Sequence, residues 1–116
     1  MNDLNESILD SIKKLLGLSS DYTAFDTDII IHINTTFMIL QQLGVGPDNG
    51  FSISDNTTKW NEFIDDENKF HAVKTYIYLK VRLIFDPPSS STIVDSYNRT
   101  ISELEYRLRV NAETLL

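Results

Sequence analysis

Three acids on one turn have the strongest claim to chemistry in this chain. Glu62, Asp65 and Asp66 stand at i, i+3 and i+4, which puts their carboxylates on one helical face. Hard divalent cations such as magnesium take oxygen ligands of this kind. An all-α nucleotide hydrolase would use them to hold the metal and activate water. Such an enzyme also needs a facing carboxylate pair and a phosphate-binding set. The helix that follows offers bases instead, and Glu103 and Glu105 do not share a face. The plainer reading makes Asp65, Asp66 and Glu67 caps and first-turn residues of that helix, where the dipole favours negative charge. The metal-dependent hydrolase is therefore the weakest of three functional readings, and no metal or cofactor is expected.

Other catalytic patterns are equally thin. His32 and His71 are far apart, and neither belongs to a His-x-x-x-His or His-Glu-x-x-His arrangement. Gly44-Val45-Gly46 is too short for a phosphate loop and lacks a strand–helix context. Nothing flags a Ser-His-acid triad. The chain has no cysteine, which removes disulfides, thiolate nucleophiles and cysteine metal sites. No catalytic residue is assigned, and the chain is expected not to be an enzyme.

The elements around these residues read as helices. The chain has 116 residues, 41% hydrophobic and 23% charged, which is the composition of one globular domain over 1–116. Apolar runs fall far short of the ~20 residues that span a bilayer, and the acidic start is unlike a signal peptide. A cytoplasmic setting and no membrane partner are the expectation. The net charge of -7 argues against bulk coating of nucleic acid by a basic surface. From 18 to 68 there are nine acids and one base; from 69 to 86 there are four bases (Lys69, Lys74, Lys80, Arg82) and one acid. The acidic middle and the basic helix match either within one chain or between neighbouring subunits. A DNA-reading helix-turn-helix would need a basic recognition helix, but the basic helix here is also heavily apolar.

A first helix is expected over 3–16, capped by Asp3, with Leu4, Ile8, Ile12 and Leu15 on one face and Gly17 just past its end. A second is expected over 27–43 with Asp26 as N-cap and a stripe of Ile29, Ile33, Phe37 and Leu40. Asn34, Thr35 and Thr36 lower helix propensity there and, where they face a neighbouring helix, are close-packing or hydrogen-bonding positions. Residues 44–56 are rich in turn signals and form a long loop, a candidate contact arm through Gly46, Asp48 and Phe51. A short helix over 58–64 turns Trp60, Phe63 and Ile64 inward.

A third helix spans 67–85, with Phe70, Val73, Ile77, Val81 and Ile84 on one stripe and Tyr76, Leu79 and Leu83 beside it. Pro87 and Pro88 end it at Asp86. A fourth helix opens from Ser89-Ser90-Ser91-Thr92, with Thr92 and Asp95 as a capping-box candidate. Its seam is Val94, Tyr97, Ile101, Leu104 and Leu108. Asp95–Arg99, Glu103–Arg107 and Glu105–Arg109 are i,i+4 pairs. Residues 110–116 read as a tail that frays or reaches a partner through Leu115 and Leu116. The fold class is all-α: a compact bundle of four main helices and a short one, with a long loop between the second and third.

Three stretches carry a resemblance: Ile8-Leu9-Asp10-Ser11-Ile12-Lys13-Lys14-Leu15-Leu16-Gly17 with the following Asp21-Tyr22; Tyr78-Leu79-Lys80-Val81-Arg82-Leu83-Ile84-Phe85-Asp86-Pro87-Pro88; and Tyr97-Asn98-Arg99-Thr100-Ile101-Ser102-Glu103-Leu104-Glu105-Tyr106-Arg107-Leu108. With these the chain resembles the small head-tail connector, or head completion, proteins of long-tailed bacteriophages. The resemblance implies a helical bundle assembled into a homo-oligomeric ring of about a dozen subunits. It places that ring at the capsid–tail junction of the virion, between the portal protein and a stopper or tail-completion protein, after assembly in the host cytoplasm. The ring would line the channel through which double-stranded DNA leaves. An acidic lumen suits passage without adhesion, so Asp48, Asp55, Asp65 and Asp66 become channel-facing candidates. Lys69, Lys74, Lys80, Arg82, Gly46, Asp48, Phe51, Leu115 and Leu116 become interface candidates. The second reading is a small cytoplasmic helical interaction or regulatory module.

Replacing Lys74 and Lys80 with glutamate is expected to block ring assembly while circular dichroism shows unchanged helicity. Assembly at wild-type levels would sink the charge-matching idea.

Overall fold

In a computed structural model, which describes residues 3–114, the chain is all-α. Four helices follow one another: α1 (Ile8–Leu15), α2 (Asp26–Gln42), α3 (Glu67–Phe85) and α4 (Ser91–Thr114). Single 3-10 turns at Asp3–Asn5 and Trp60–Glu62 complete the order. Helix α3 is the hub. It packs against α1, α2 and α4, and it buries Phe70, Val73, Tyr76, Ile77, Leu79 and Val81 on two adjoining faces. Its apolar positions cover more than one 100° stripe, so one neighbour cannot shield them all.

The bounds of α3 match the sequence reading. Asp66 is its N-cap, and its carboxylate accepts from the N–H groups of Asn68 (3.0 Å) and Lys69 (3.3 Å). The stripe errs at its last member. Ile84 is 60% exposed, and Phe85, four residues after Val81, turns inward instead. Helix α1 repeats the pattern, since Leu15 is exposed and Leu16, four after Ile12, packs on the core. Near both helix ends the i+4 residue, not the i+3 residue, continues the buried face.

The first helix does not start at Asp3. That residue opens a separate 3-10 turn, and α1 is capped by Ser7, whose Oγ accepts the Asp10 N–H at 3.2 Å. The break comes from a β-bridge between Ser7 and Lys59. Ile8 N–H donates to the Thr58 carbonyl at 3.0 Å, and Trp60 N–H donates to the Glu6 carbonyl at 3.1 Å. The same bridge keeps 58–59 extended, so the expected short helix shrinks to the turn Trp60–Glu62. Trp60 is nevertheless fully buried, and its indole N–H donates to Ser11 Oγ at 3.1 Å. The Ser11 hydroxyl in turn donates to the Ser7 carbonyl at 2.6 Å. Each polar atom in this buried chain is thus satisfied.

Helix α2 begins at Asp26, which is therefore not its cap; Phe25 holds that position without a side-chain bond. Asp26 has another task. Lys13 on α1 is 1% exposed, and its ammonium lies 2.8 Å from Asp26 Oδ1. It also donates to the Ser20 carbonyl at 3.1 Å. This ion pair closes the loop between α1 and α2, which leaves α1 through Gly17 in the left-handed region at φ +83°.

Asn34 ties the long loop to α2. Its side-chain N–H donates to the Ile53 carbonyl at 2.9 Å, while its oxygen accepts the Ile53 N–H at 2.8 Å. The amide thus serves the loop as a neighbouring strand would. Thr35 and Thr36 instead return their hydroxyls to the carbonyls of Ile31 and His32, four residues back.

Helix α4 starts after Ser90, whose Oγ accepts the Ile93 N–H at 3.4 Å, so Thr92 is not its cap. It runs on to Thr114, past the point where a tail was expected. Ile101 and Leu108 are buried in its seam, with Tyr97 and Leu104 packed partly against the core. Of the expected ion pairs on α4, Glu103–Arg107 forms at 2.9 Å. Asp95–Arg99 and Glu105–Arg109 do not form among the described residues. Glu105 is drawn inward, where it accepts the Tyr76 hydroxyl at 2.6 Å. Burial first, and the Glu105 carboxylate second, hold the Tyr76 phenol well above its ordinary value.

Two outcomes follow. Asp26→Asn leaves the Lys13 ammonium buried without a counter-charge and should cost about 3–5 kcal/mol in urea unfolding. Lys13→Met should cost less, because Asp26 reaches water; equal losses would contradict this account. The raised Tyr76 value means that the neutral phenol favours the fold. Its contribution is full below about pH 10 and is lost as pH climbs further. Tyr76→Phe should cost about 1–2 kcal/mol at neutral pH and flatten the alkaline fall in stability.

Candidate functional site

At one end of the bundle the stretches that carry the family resemblance meet. Tyr22 stacks edge-on against Phe25 at 5.7 Å between ring centroids, and Phe25 does the same with Phe85 at 5.2 Å. Through Phe25 the Asp21-Tyr22 segment thereby links to the end of α3 just before Asp86-Pro87-Pro88. Arg82 sets this end. Its Nη1 donates to the hydroxyls of Tyr78 (2.9 Å) and Tyr97 (3.3 Å), and its Nε donates to the Asp86 carbonyl (3.2 Å). The guanidinium also lies 5.8 Å from the Tyr97 ring centroid. One side chain therefore joins α3, the proline hinge and α4. Tyr22, Phe25 and Ile84 leave this end exposed and apolar.

The other basic candidates on α3 differ from Arg82. Lys74 extends over the Phe70 ring at 5.6 Å. Lys69 lines a groove of about 320 Å³ between the start of α3 and α4, together with Asp66, Asn68, Arg107 and Asn111. Lys80 is half-buried. These four bases lie along the helix and do not converge on one point.

In the loop, Phe51 belongs to a cluster of three rings with Phe37 and Phe63, at 4.7–5.1 Å. Gly46 lies against it at φ +92°, and a Cβ there would come within 2.4 Å of Phe63. Both residues thus take part in packing within the chain. Asp48, Asp55, Asp65 and Asp66 are all exposed. Asp55 accepts the hydroxyl (2.6 Å) and N–H (2.9 Å) of Thr57, the hydroxyl bond being the larger influence, which holds its carboxyl below the ordinary value. Glu62 accepts the Lys59 N–H at 2.8 Å. Among the described residues, no group of three or more His, Asp or Glu side chains converges as a metal ion requires. Leu115 and Leu116 lie outside the described residues.

Several organising residues carried little signal in the sequence. Lys13 follows Leu9 by four positions on α1, the one hint that its stem is buried. Asn34 reads as a hydrogen-bonding position, but its partner, the loop residue Ile53, has no signal. Glu105 offered an exposed pairing with Arg109 that masked its inward bond.

Among the described residues no helix is long and apolar enough to cross a membrane. No curated protein and no solved structure gives a significant match to the chain. The family described as Phage connector protein matches residues 8–114, from the first residue of α1 to the last of α4. The match spans all four helices, the Asp21-Tyr22 segment and the proline hinge, and on this ground the chain belongs to the phage connector protein family.

Proposed function

We propose that this chain is a structural virion protein that forms a ring of about a dozen copies between the portal and the tail or stopper. The observation that carries the reading is the family match over residues 8–114. The structure is suited to it in two ways. Its helices are held by interlocked polar ties, as a subunit under load in an assembly requires. Its flanks keep large apolar side chains exposed (Ile31, Met38 and Tyr106 among them), as surfaces awaiting a partner do.

The acidic loops take the lumen in this reading. Asp48, Asp55, Asp65 and Asp66 are exposed, and the Thr57 bonds favour the charged form of Asp55. Carboxylates facing the duplex give DNA no counter-ion to release, so it slides without binding. The chain acts by position and charge, with no catalytic step.

The test is electron microscopy of the chain incubated with the portal protein of the same phage. The expected image is a ring stacked coaxially on the portal, with at least some of these four acids on the inner wall. A stoichiometric complex without rotational symmetry overturns the ring. A ring with all four acids on its outer wall overturns the lumen assignment alone.

A further inference from the structure

Two helices present matching stripes to solvent. On α2, Asp28, Ile31, Thr35 and Met38 are exposed at 3-4-3 spacing. On α4, Arg99, Ser102, Tyr106 and Arg109 are exposed at the same 3-4-3 spacing. Ile31 is 55%, Met38 54% and Tyr106 64% exposed. Single exposed apolar residues are ordinary, but a pair one heptad apart on each side of a threonine is the seam that a partner helix reads.

The two stripes belong to different helices and have different residues. Helix α3 packs on both α2 and α4, and each turns its buried stripe toward that hub. The exposed stripes therefore point away from it. Two distinct, complementary patches are what a head-to-tail contact needs, whereas a two-fold contact would use one patch twice.

Helix direction follows from contacts within the chain. Phe25, at the start of α2, touches Phe85, at the end of α3. Beyond the end of α2, Gly44 lies beside Ala112 near the end of α4. Helices α2 and α4 therefore run the same way. Neighbours in a large ring differ by a small rotation, so α2 of one copy meets α4 of the next in roughly parallel orientation. At a constant offset, Asp28 then faces Arg99 and Thr35 faces Tyr106, while Arg109 lies at the edge of the contact, beside the end of its own α2. Neither Asp28 nor Arg99 has an ion-pair partner among the described residues, where the ion pairs are Lys13–Asp26 and Glu103–Arg107.

We infer that α2 of one copy docks on α4 of the next, with Tyr106 seated in the hole between Ile31, Thr35 and Met38 and Asp28 paired with Arg99. The assignment rests on the ring reading and adds to it the faces that meet. The small Thr35 makes room for the ring, and its hydroxyl is already committed to the Ile31 carbonyl. The apolar neighbours supply the contact area, and the charge pair sets register and direction.

The chain has no cysteine, so introduced thiols report cleanly. Thr35→Cys and Tyr106→Cys variants are mixed at high concentration, with and without the portal, and treated with a short thiol cross-linker. A mixed dimer is expected, while the Thr35→Cys/Tyr106→Cys double variant should give a ladder of higher oligomers. Tyr106→Ala should raise the concentration needed for assembly about tenfold or more. Asp28→Arg should weaken assembly, and adding Arg99→Asp should restore it.

Rings without the mixed cross-link overturn the α2–α4 contact and leave the ring standing. Self-cross-linking of Thr35→Cys alone as efficient as the mixture also overturns it, in favour of a two-fold contact. Assembly that is lost with Lys74→Glu/Lys80→Glu but unaffected by Asp28→Arg and Tyr106→Ala moves the interface to α3 and overturns it. Neither rings nor mixed cross-links overturns both readings.

Discussion

Helix α3 has more apolar surface than any single neighbour can cover, and the other elements are arranged around that fact. Its two buried faces call for partners on both sides. Helices α1 and α2 supply one cover, and α4 supplies another. The Asp86-Pro87-Pro88 break is what allows α4 to return along α3 at all. Arg82 then fixes that return by binding both arms of the hairpin and the hinge carbonyl. Hydrophobic burial makes the covers adhere, but it is non-directional.

Direction comes from a few polar ties, each linking segments distant in sequence. Lys13 joins α1 to the start of α2, Asn34 holds the middle of the loop, Ser11 receives Trp60, and Glu105 receives Tyr76. A misplaced cover would strand an ammonium, an amide or an indole N–H in the core, at a cost of a few kcal/mol each. The ties thus act less by adding stability than by penalising alternatives.

What could be read from the residues follows from this division. Helix existence and the identity of α3, down to its bounds, were legible because periodicity and the Asp66 and Asp86-Pro87-Pro88 boundaries are local. The all-α class followed. The start of α1, the shrinkage of the 58–64 helix and the diversion of Asp26 were not legible. Each depends on a bond across the fold: the Ser7–Lys59 bridge in the first two cases and Lys13 in the third. A side chain suited to capping is also suited to pairing, and only the tertiary arrangement decides between them. The packing of Gly46 and Phe51 was equally out of reach, because the rings that meet there, Phe37, Phe51 and Phe63, come from separate segments.

The Asn34 clamp has a consequence for how such a chain can vary. It divides the long loop into two spans of different freedom. Between Gly44 and Phe51 the backbone also touches the bundle, through Val45 in the core and through Gly46 and Phe51 on the ring cluster, and only the tip at Asp48 and Asn49 stands exposed, where an added residue would disturb least. From Ile53 to Trp60 the chain is fastened at both ends, by the amide on one side and by the Glu6 and Thr58 bonds on the other. A single inserted residue there would shift Trp60 off Ser11. Length variation among relatives should therefore concentrate at the Asp48-Asn49 tip, which makes it the part of the loop that can be re-tailored for a new neighbour while the bundle stays unchanged.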